Sequence, residues 1–258
     1  MGGSFIEGLL MSRLFTPDEI YVSDSDEIKI NNIKKKYAIN AVKTNRIAEI
    51  CDIICLVVKP KDVKTICLDI KDTINKTNLI VSFAAGLNTE QIEKFLEKDV
   101  PVLKIMPNLS VSVCKGIIGY SRGRYFSESM LEKIKPIFTN LGFFFPIPEE
   151  KMHLLTGVSG SGPGYVFYFG EIIYKILLNN GFSSRDSKKI VGFLFEGAGK
   201  MMNESKSEPK VLKKRVSSPG GTTVAGLEVF EKHNIEEIFN KVIEAAQKRA
   251  KELSQQNT

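Results

Sequence analysis

The chain has 258 residues, enough for one large domain or two modest ones, each with its own buried core. Hydrophobic residues at 43% and charged residues at 26% exclude the disordered and membrane-embedded classes. No apolar run approaches the roughly 18 to 20 residues of a spanning helix, and no signal peptide is visible, so cytoplasm is the default expectation. The net charge of +6 would suit a phosphate backbone, but the lysines lie on helix faces beside Asp and Glu, and only Lys34, Lys35 and Lys36 form a dense run. The pattern reads as a solvated surface rather than a nucleic-acid stripe. Cys51, Cys55, Cys67 and Cys114 form no CxxC pair and sit in or near apolar segments, which reads as reduced, buried thiols and not as metal ligands or disulfides. With only His153 and His233, no histidine metal site or His-based triad is expected.

The chain opens "MGGSFIEGLL". In a G-x-G-x-x-G turn the glycines let the backbone approach a pyrophosphate seated on the following helix N-terminus. The opening fits the second half of that turn, with Gly2 as the third glycine, the helix from Ser4, and Gly8 allowing close packing on the sheet. A tag scar or an ordinary helix start would account for it as well. Asp24 follows 22 residues after Gly2, at the end of the next strand, where a carboxylate can hold a ribose 2′-hydroxyl.

From Ile20 to about Phe145, apolar runs alternate with helical patterns. The predicted strands are 20–23, 52–58, 78–84, 101–106, 116–121 and 142–147. Apolar residues spaced by three and four predict helices over 26–37, 60–74, 89–97 and 127–141. Near-continuous apolar strands alternating with helices predict a doubly wound, parallel α/β sheet covered on both faces. "VVKP" (57–60) and "MPN" (106–108) end two of these strands, where nucleotides lie in open α/β sheets, although each could be plain proline punctuation.

After Pro146 and Pro148 the strand runs stop, and 149–158, 163–179, 184–204, 208–216, 223–232 and 235–254 read as helices. The helix beginning "GYVFYFGEIIYKILL" is apolar nearly all round, so either it threads a bundle or a second subunit covers it. "VSGSGPGYVF" (158–167) either lines a site or lets helices cross closely. "VSSPGGTTVAGLEVF" (216–230) is the most informative stretch: a Pro-Gly-Gly turn and two threonines deliver the chain into a helix start, more small and hydroxyl residues than one cap needs. It reads as a cradle for a carboxylate or a phosphate.

Taken in order, "MGGSFIEGL", "VVKP", "SFAAGL", "KIMPN", "VSGSGPGYVF", "FEGAGKMM" and "SSPGGTTVAGLEVFE" resemble the pyrroline-5-carboxylate reductase family over nearly the whole length. The resemblance implies a Rossmann-like NAD(P)-binding domain over 1–148 and an all-helical substrate-binding and dimerisation domain over 149–258. It implies a homo-oligomer built through the helical domain, a dimer often assembled into larger rings such as a decamer. It also implies reduction of 1-pyrroline-5-carboxylate to L-proline by NADPH or NADH, with no metal, no nucleic acid and no membrane. By resemblance Gly220, Gly221 and Thr222 hold the substrate carboxylate, Thr223 places its hydroxyl on the ring nitrogen, and Ser218 lines the pocket. Gly2, Asp24, Val58, Lys59 and Pro60 follow the cofactor, and Met106, Pro107 and Asn108 flank its nicotinamide. Asp24 leans toward NADH, while Ser23, Ser25 and Lys29 could accommodate NADPH. Family members carry a strand and a G-x-G ahead of the point matched by Met1, so the expectation is that such a strand and two glycines belong in front of it. Two further readings remain open: a related reductase of another carboxylated imine or ketone, and a non-catalytic dimer that binds partners through its helices.

Overall fold

The computed structural model describes residues 1–255. It divides into two compact units: Met1–Pro163 with the described residues from Glu244 on, and Gly164–Ile243. The first unit begins with helix α1 (Gly2–Met11), two residues earlier than its sequence suggests. There follow β1 (Tyr21–Val22), α2 (Glu27–Tyr37), β2 (Asn40–Ala41), α3 (Ile47–Ile50), β3 (Ile53–Leu56), α4 (Pro60–Ile70) and β4 (Leu79–Ser82). Then come α5 (Thr89–Leu96), β5 (Val102–Pro107), a 3₁₀ turn over Leu109–Val113, β6 (Gly116–Arg122), α6 (Glu128–Leu141) and β7 (Gly142–Pro146). Beyond a 3₁₀ turn at Glu149–Lys151 lie α7 (Met152–Leu155) and a π-helical turn, Thr156–Gly160.

β1 and β2 form a parallel pair, and β3, β4, β5, β6 and β7 form a five-stranded sheet in that order. β3, β4 and β5 run parallel, as do β6 and β7, but β6 runs antiparallel to β5. The reversal corrects the all-parallel expectation, and its cause is legible: the connection from Asn108 to Lys115 is too short for the dozen or more residues of a parallel crossover. β2 was missed because a two-residue strand carries no periodic signal.

Every residue of β5 is buried, as befits a strand covered on both faces. On one face Leu103 and Ile105 join Phe5, Leu79, Val81, Tyr120 and Phe138; on the other, Val102 packs with Ile54, Leu56, Ile80 and the helical residues Val63, Ile70, Ile92 and Leu96. Burial pushes the Cys67 thiol up to about 12, and all four cysteines are free.

Two glycines show what the packing demands. Gly86, in "SFAAGL", has φ +94°, and a Cβ there would lie 2.4 Å from the Ser254 Cα. A Cβ on Gly8 would lie 2.2 Å from the Val111 carbonyl oxygen, so Gly8 seats α1 against the 109–113 turn and not against the sheet as its spacing suggested.

In the second unit α8 (Gly162–Asn179) continues from Gly164, followed by α9 (Ser184–Glu204), α10 (Pro209–Arg215), α11 (Thr222–Lys232) and the part of α12 (Ile235–Gln255) up to Ile243. Phe169 stacks on Phe239 at 5.8 Å, and Gly170 lets α8 approach Val191 and Phe195 of α9. The apolar faces stay largely open, with Phe167 65% and Phe193 73% exposed. The helices of this one chain therefore do not enclose α8.

Gly8→Ala separates packing from helix propensity. Propensity alone favours Ala by about 1 kcal/mol, whereas overpacking against backbone costs about 1–3 kcal/mol. The denaturant midpoint should fall with an unchanged slope; a rise would show that the close approach is absent.

Candidate active site

The carboxyl ends of β3, β4 and β5 lie side by side, since Leu56 pairs with Ser82 and Ser82 with Lys104. "VVKP" leaves the first of these strands, "SFAAGL" the second, and "MPN" closes the third. Lys59 is the N-cap of α4 and Pro60 its first residue, where the missing N–H costs nothing. The N-terminus of α1 stands beside them, with the Gly2 Cβ position 3.8 Å from Val57 Cγ1. Phe83 meets Phe5 of α1 edge to face at 4.9 Å, tying the β4 turn to the same helix. Met106, Pro107 and Asn108 are buried. The Asn108 side-chain oxygen accepts the Ile117 amide at 3.1 Å, so part of this residue holds the turn into β6.

A second group surrounds the ends of β1 and β2. Ser23, Asp24, Ser25, Asn31, Lys43 and Thr44 line one groove. Ser23 Oγ and Thr44 Oγ1 are 2.8 Å apart, and Asp24 Oδ1 accepts the Asp26 amide at 2.9 Å. The Asp24 carboxylate is thus partly committed to its own turn, while Lys43 brings a cation that sequence reasoning missed, because it follows the unrecognised β2.

α1 has no capping side chain and no acid in its first turn. By contrast, Asp26, Asn88, Ser127 and Ser183 cap α2, α5, α6 and α9 through their side chains. α11 shares the open arrangement: Gly221 is its N-cap, with no side-chain cap and no first-turn acid. Gly220 holds φ +69°, and its Cβ position has open space around it. The Gly221 amide donates to the Ser218 carbonyl at 2.9 Å and so is used inside the turn. The first-turn donors without intrahelical acceptors are those of Thr222, Thr223 and Val224. A Cβ on Gly221 would sit 2.6 Å from Ser218 Oγ, so glycine there leaves the Ser218 hydroxyl its place.

A charged cluster packs beneath the π-helical turn. Lys104 is 5% exposed on the face of β5 that also carries Met106, and its Nζ lies 3.9 Å from Glu149 Oε2. Burial lowers the Lys104 pKa, and Glu149 opposes that shift. His153 is also lowered, by partial burial first and then by the charges of Lys104 and Lys251. The π-helical turn carries the buried Gly157 and Ser159, and Ser159 Oγ donates to the Leu155 carbonyl at 2.9 Å.

Two family models match the chain: NADP oxidoreductase coenzyme F420-dependent over residues 1–86, and pyrroline-5-carboxylate reductase dimerisation over residues 149–253. A pyrroline-5-carboxylate reductase of Corynebacterium melassecola is 31% identical over 98% of this chain and 95% of its own length. The chain belongs to the pyrroline-5-carboxylate reductase family. Pyrroline-5-carboxylate reductase 1 of Bacillus spizizenii is 32% identical over 98% of this chain and 86% of its own. Among solved structures, the Plasmodium falciparum pyrroline carboxylate reductase with NADP bound has a TM-score of 0.86 at 26% identity, covering 98% and 94% of the two chains. The Coxiella burnetii pyrroline-5-carboxylate reductase has a TM-score of 0.84 at 29% identity, covering 97% and 93%.

Family membership accounts for the order of the motifs, and the structure distributes them. Gly2, Asp24, Val58, Lys59, Pro60, Met106, Pro107 and Asn108 fall in the first unit, and Ser218, Gly220, Gly221, Thr222 and Thr223 in the second. No group of His, Cys, Asp or Glu among the described residues could hold a metal ion. No helix among them is long and apolar enough to cross a membrane.

The Gly220 conformation gives a direct test. Gly220→Ala should lower stability by about 1–2 kcal/mol, the cost of a side chain in the left-handed region, and Gly220→Asn by less, because Asn visits that region more readily. Equal losses by chemical denaturation would contradict the conformation.

Proposed function

We propose that this chain reduces 1-pyrroline-5-carboxylate to L-proline with NADPH or NADH, the last step of proline biosynthesis. The observation that carries the reading is the near end-to-end match to a pyrroline-5-carboxylate reductase, 31% identical over 98% of this chain.

The residues of the first unit suit a dinucleotide. The α1 N-terminus, uncapped by any side chain, offers backbone donors and a positive dipole end to a pyrophosphate, with Gly2 and Gly3 keeping side chains out of the way. The Ser23, Asp24 and Thr44 oxygens face a ribose, and Lys43 supplies the cation that a 2′-phosphate would pair with. Val58, Lys59 and Pro60 lie along the cofactor, and Met106, Pro107 and Asn108 beside its nicotinamide. Bound there, the reduced nicotinamide supplies one hydride.

The second unit supplies acid recognition. The Thr222, Thr223 and Val224 amides receive the substrate carboxylate, each charge-assisted bond contributing about 1.5–3 kcal/mol. Gly220 sets the turn, Gly221 closes it on Ser218, and the Ser218 hydroxyl lines the pocket. The Thr223 hydroxyl meets the ring nitrogen. The hydride goes to C5 and a proton to nitrogen. Because the imine protonates in solution, no strong general acid is required, in keeping with a 217–223 turn and a 106–108 segment that hold neither histidine nor carboxylate. Catalysis is mainly the positioning of two bound partners.

The working form is a homo-oligomer of the cytoplasm, a dimer built through the helical region 149–258 and able to assemble further, while 1–148 carries the cofactor. The exposed apolar faces of α8 and α9 support it, since a contiguous apolar patch of this kind is characteristic of an interface. Equilibrium sedimentation should give at least twice the chain mass; a stable monomer would contradict it.

Mixing the protein with NADPH or NADH and 1-pyrroline-5-carboxylate should give substrate-dependent loss of reduced-cofactor absorbance; no loss with either cofactor overturns the proposal. Thr223→Val should lower kcat/KM by about 10- to 100-fold, the loss of one strong hydrogen bond, with Thr223→Ser retaining most activity. Lys43→Ala should raise the KM for NADPH more than that for NADH, and equal effects would remove Lys43 from the cofactor site.

A further inference from the structure

The first unit contains an ionic clamp that the reaction chemistry does not call for. Glu149 lies just past Pro146 and Pro148, far in sequence from the two elements it joins. Its carboxylate accepts from the Thr89 amide at 3.1 Å and from Thr89 Oγ1 at 2.7 Å, closing the N-terminus of α5. The same carboxylate is the ion-pair partner of the buried Lys104 at 3.9 Å. Thr89 follows directly on the "SFAAGLN" turn, and Lys104 stands two residues before Met106 on the same face of β5. The Glu149–Lys151 turn leads straight into α7 and the π-helical turn, which packs over β5.

One carboxylate therefore ties three segments together: the first turn of α5, which follows the β4 turn, the middle of β5 two residues before Met106, and the chain over it. Asn88 already caps α5, accepting the Gln91 amide at 2.8 Å, so the helix has its own cap without Glu149. A buried ion pair is weak evidence for stability, because desolvation offsets its Coulombic gain. What the pair adds is a defined position.

We propose that Glu149 is a positioning residue for the nicotinamide end of the cofactor crevice, acting through Lys104 and Thr89. The inference rests on the cofactor reading of Met106–Asn108 above. It distinguishes cofactor from substrate, because the residues assigned to the carboxylate lie in the other unit.

The test is the cofactor dissociation constant, measured by calorimetry on the whole chain, which requires no turnover. Glu149→Gln leaves Lys104 without its counter-charge and should both destabilise the protein and weaken cofactor binding. The double variant Lys104→Met/Glu149→Leu removes the unpaired charge and should recover most of the stability. It should still bind the cofactor about tenfold more weakly, on the order of one lost charge-assisted hydrogen bond, and Lys104→Arg should bind as wild type does. Where turnover is measurable, the cofactor KM should rise in the double variant and the substrate KM should not. Recovery of both stability and cofactor affinity in the double variant would overturn the inference, because the pair would then matter only for charge balance. A wild-type protein that binds cofactor without reducing 1-pyrroline-5-carboxylate would sink the proposed reaction and leave the clamp standing.

Discussion

A helix N-terminus presents backbone amides that the helix itself cannot satisfy. This protein meets that requirement in two ways. α2, α5, α6 and α9 each close their first turn with a side chain, and α5 adds the Glu149 carboxylate from sixty residues away. α1, α10 and α11 have neither a capping side chain nor an acid in the first turn; α10 starts with a proline, which has no amide to satisfy, whereas α1 and α11 begin among glycines. Amides of that kind are satisfied by water or by an anion, and the proposed ligands bring two, a pyrophosphate and a carboxylate. The economy of small residues around both helix starts follows, since any longer side chain would fill the space the anion needs.

The proposed reaction also needs a rigid floor beneath the reacting groups. β5 suits that part, with all six residues buried and β4 and β6 on either side. Its last residues therefore have little freedom, and Asn108 is held further through the Ile117 amide. The cost of such a strand is the single charge it carries. Lys104 is tolerable in the core only because Glu149 faces it. Lowered pKa values at Lys104 and His153 record the same low-dielectric surroundings, and at His153 the charges of Lys104 and Lys251 add to the effect of burial.

Much of this was legible in the sequence where periodicity is strong. The β3, β4 and β5 runs and the long helices were all anticipated to within a few residues, because apolar spacing reports burial directly. The short β2 left no such trace, and with it went Lys43 and Thr44 as groove residues. The direction of β6 was readable from its short connection, yet alternation of strand and helix elsewhere suggested a uniform sheet. "SFAAGL" stood out as a motif without a reason, which packing supplies: Phe83 reaches α1, and Gly86 gives Ser254 room. The Lys104, Glu149 and Thr89 cluster had no sequence signal at all, since it joins residues brought together only by the fold. In the 216–223 turn, composition suggested an anion cradle, whereas only the backbone shows that the Gly221 amide is engaged and that the amides from Thr222 to Val224 lack intrahelical acceptors.

The central claim is that a hydride from a reduced nicotinamide reaches C5 of a carboxylated ring imine held by this chain. Turnover with nicotinamide cofactor deuterated at its transferring position, followed by mass and NMR analysis of the product, tests it directly. The account predicts L-proline carrying one deuterium at C5. Proline without deuterium, or no proline formed from 1-pyrroline-5-carboxylate, would contradict it.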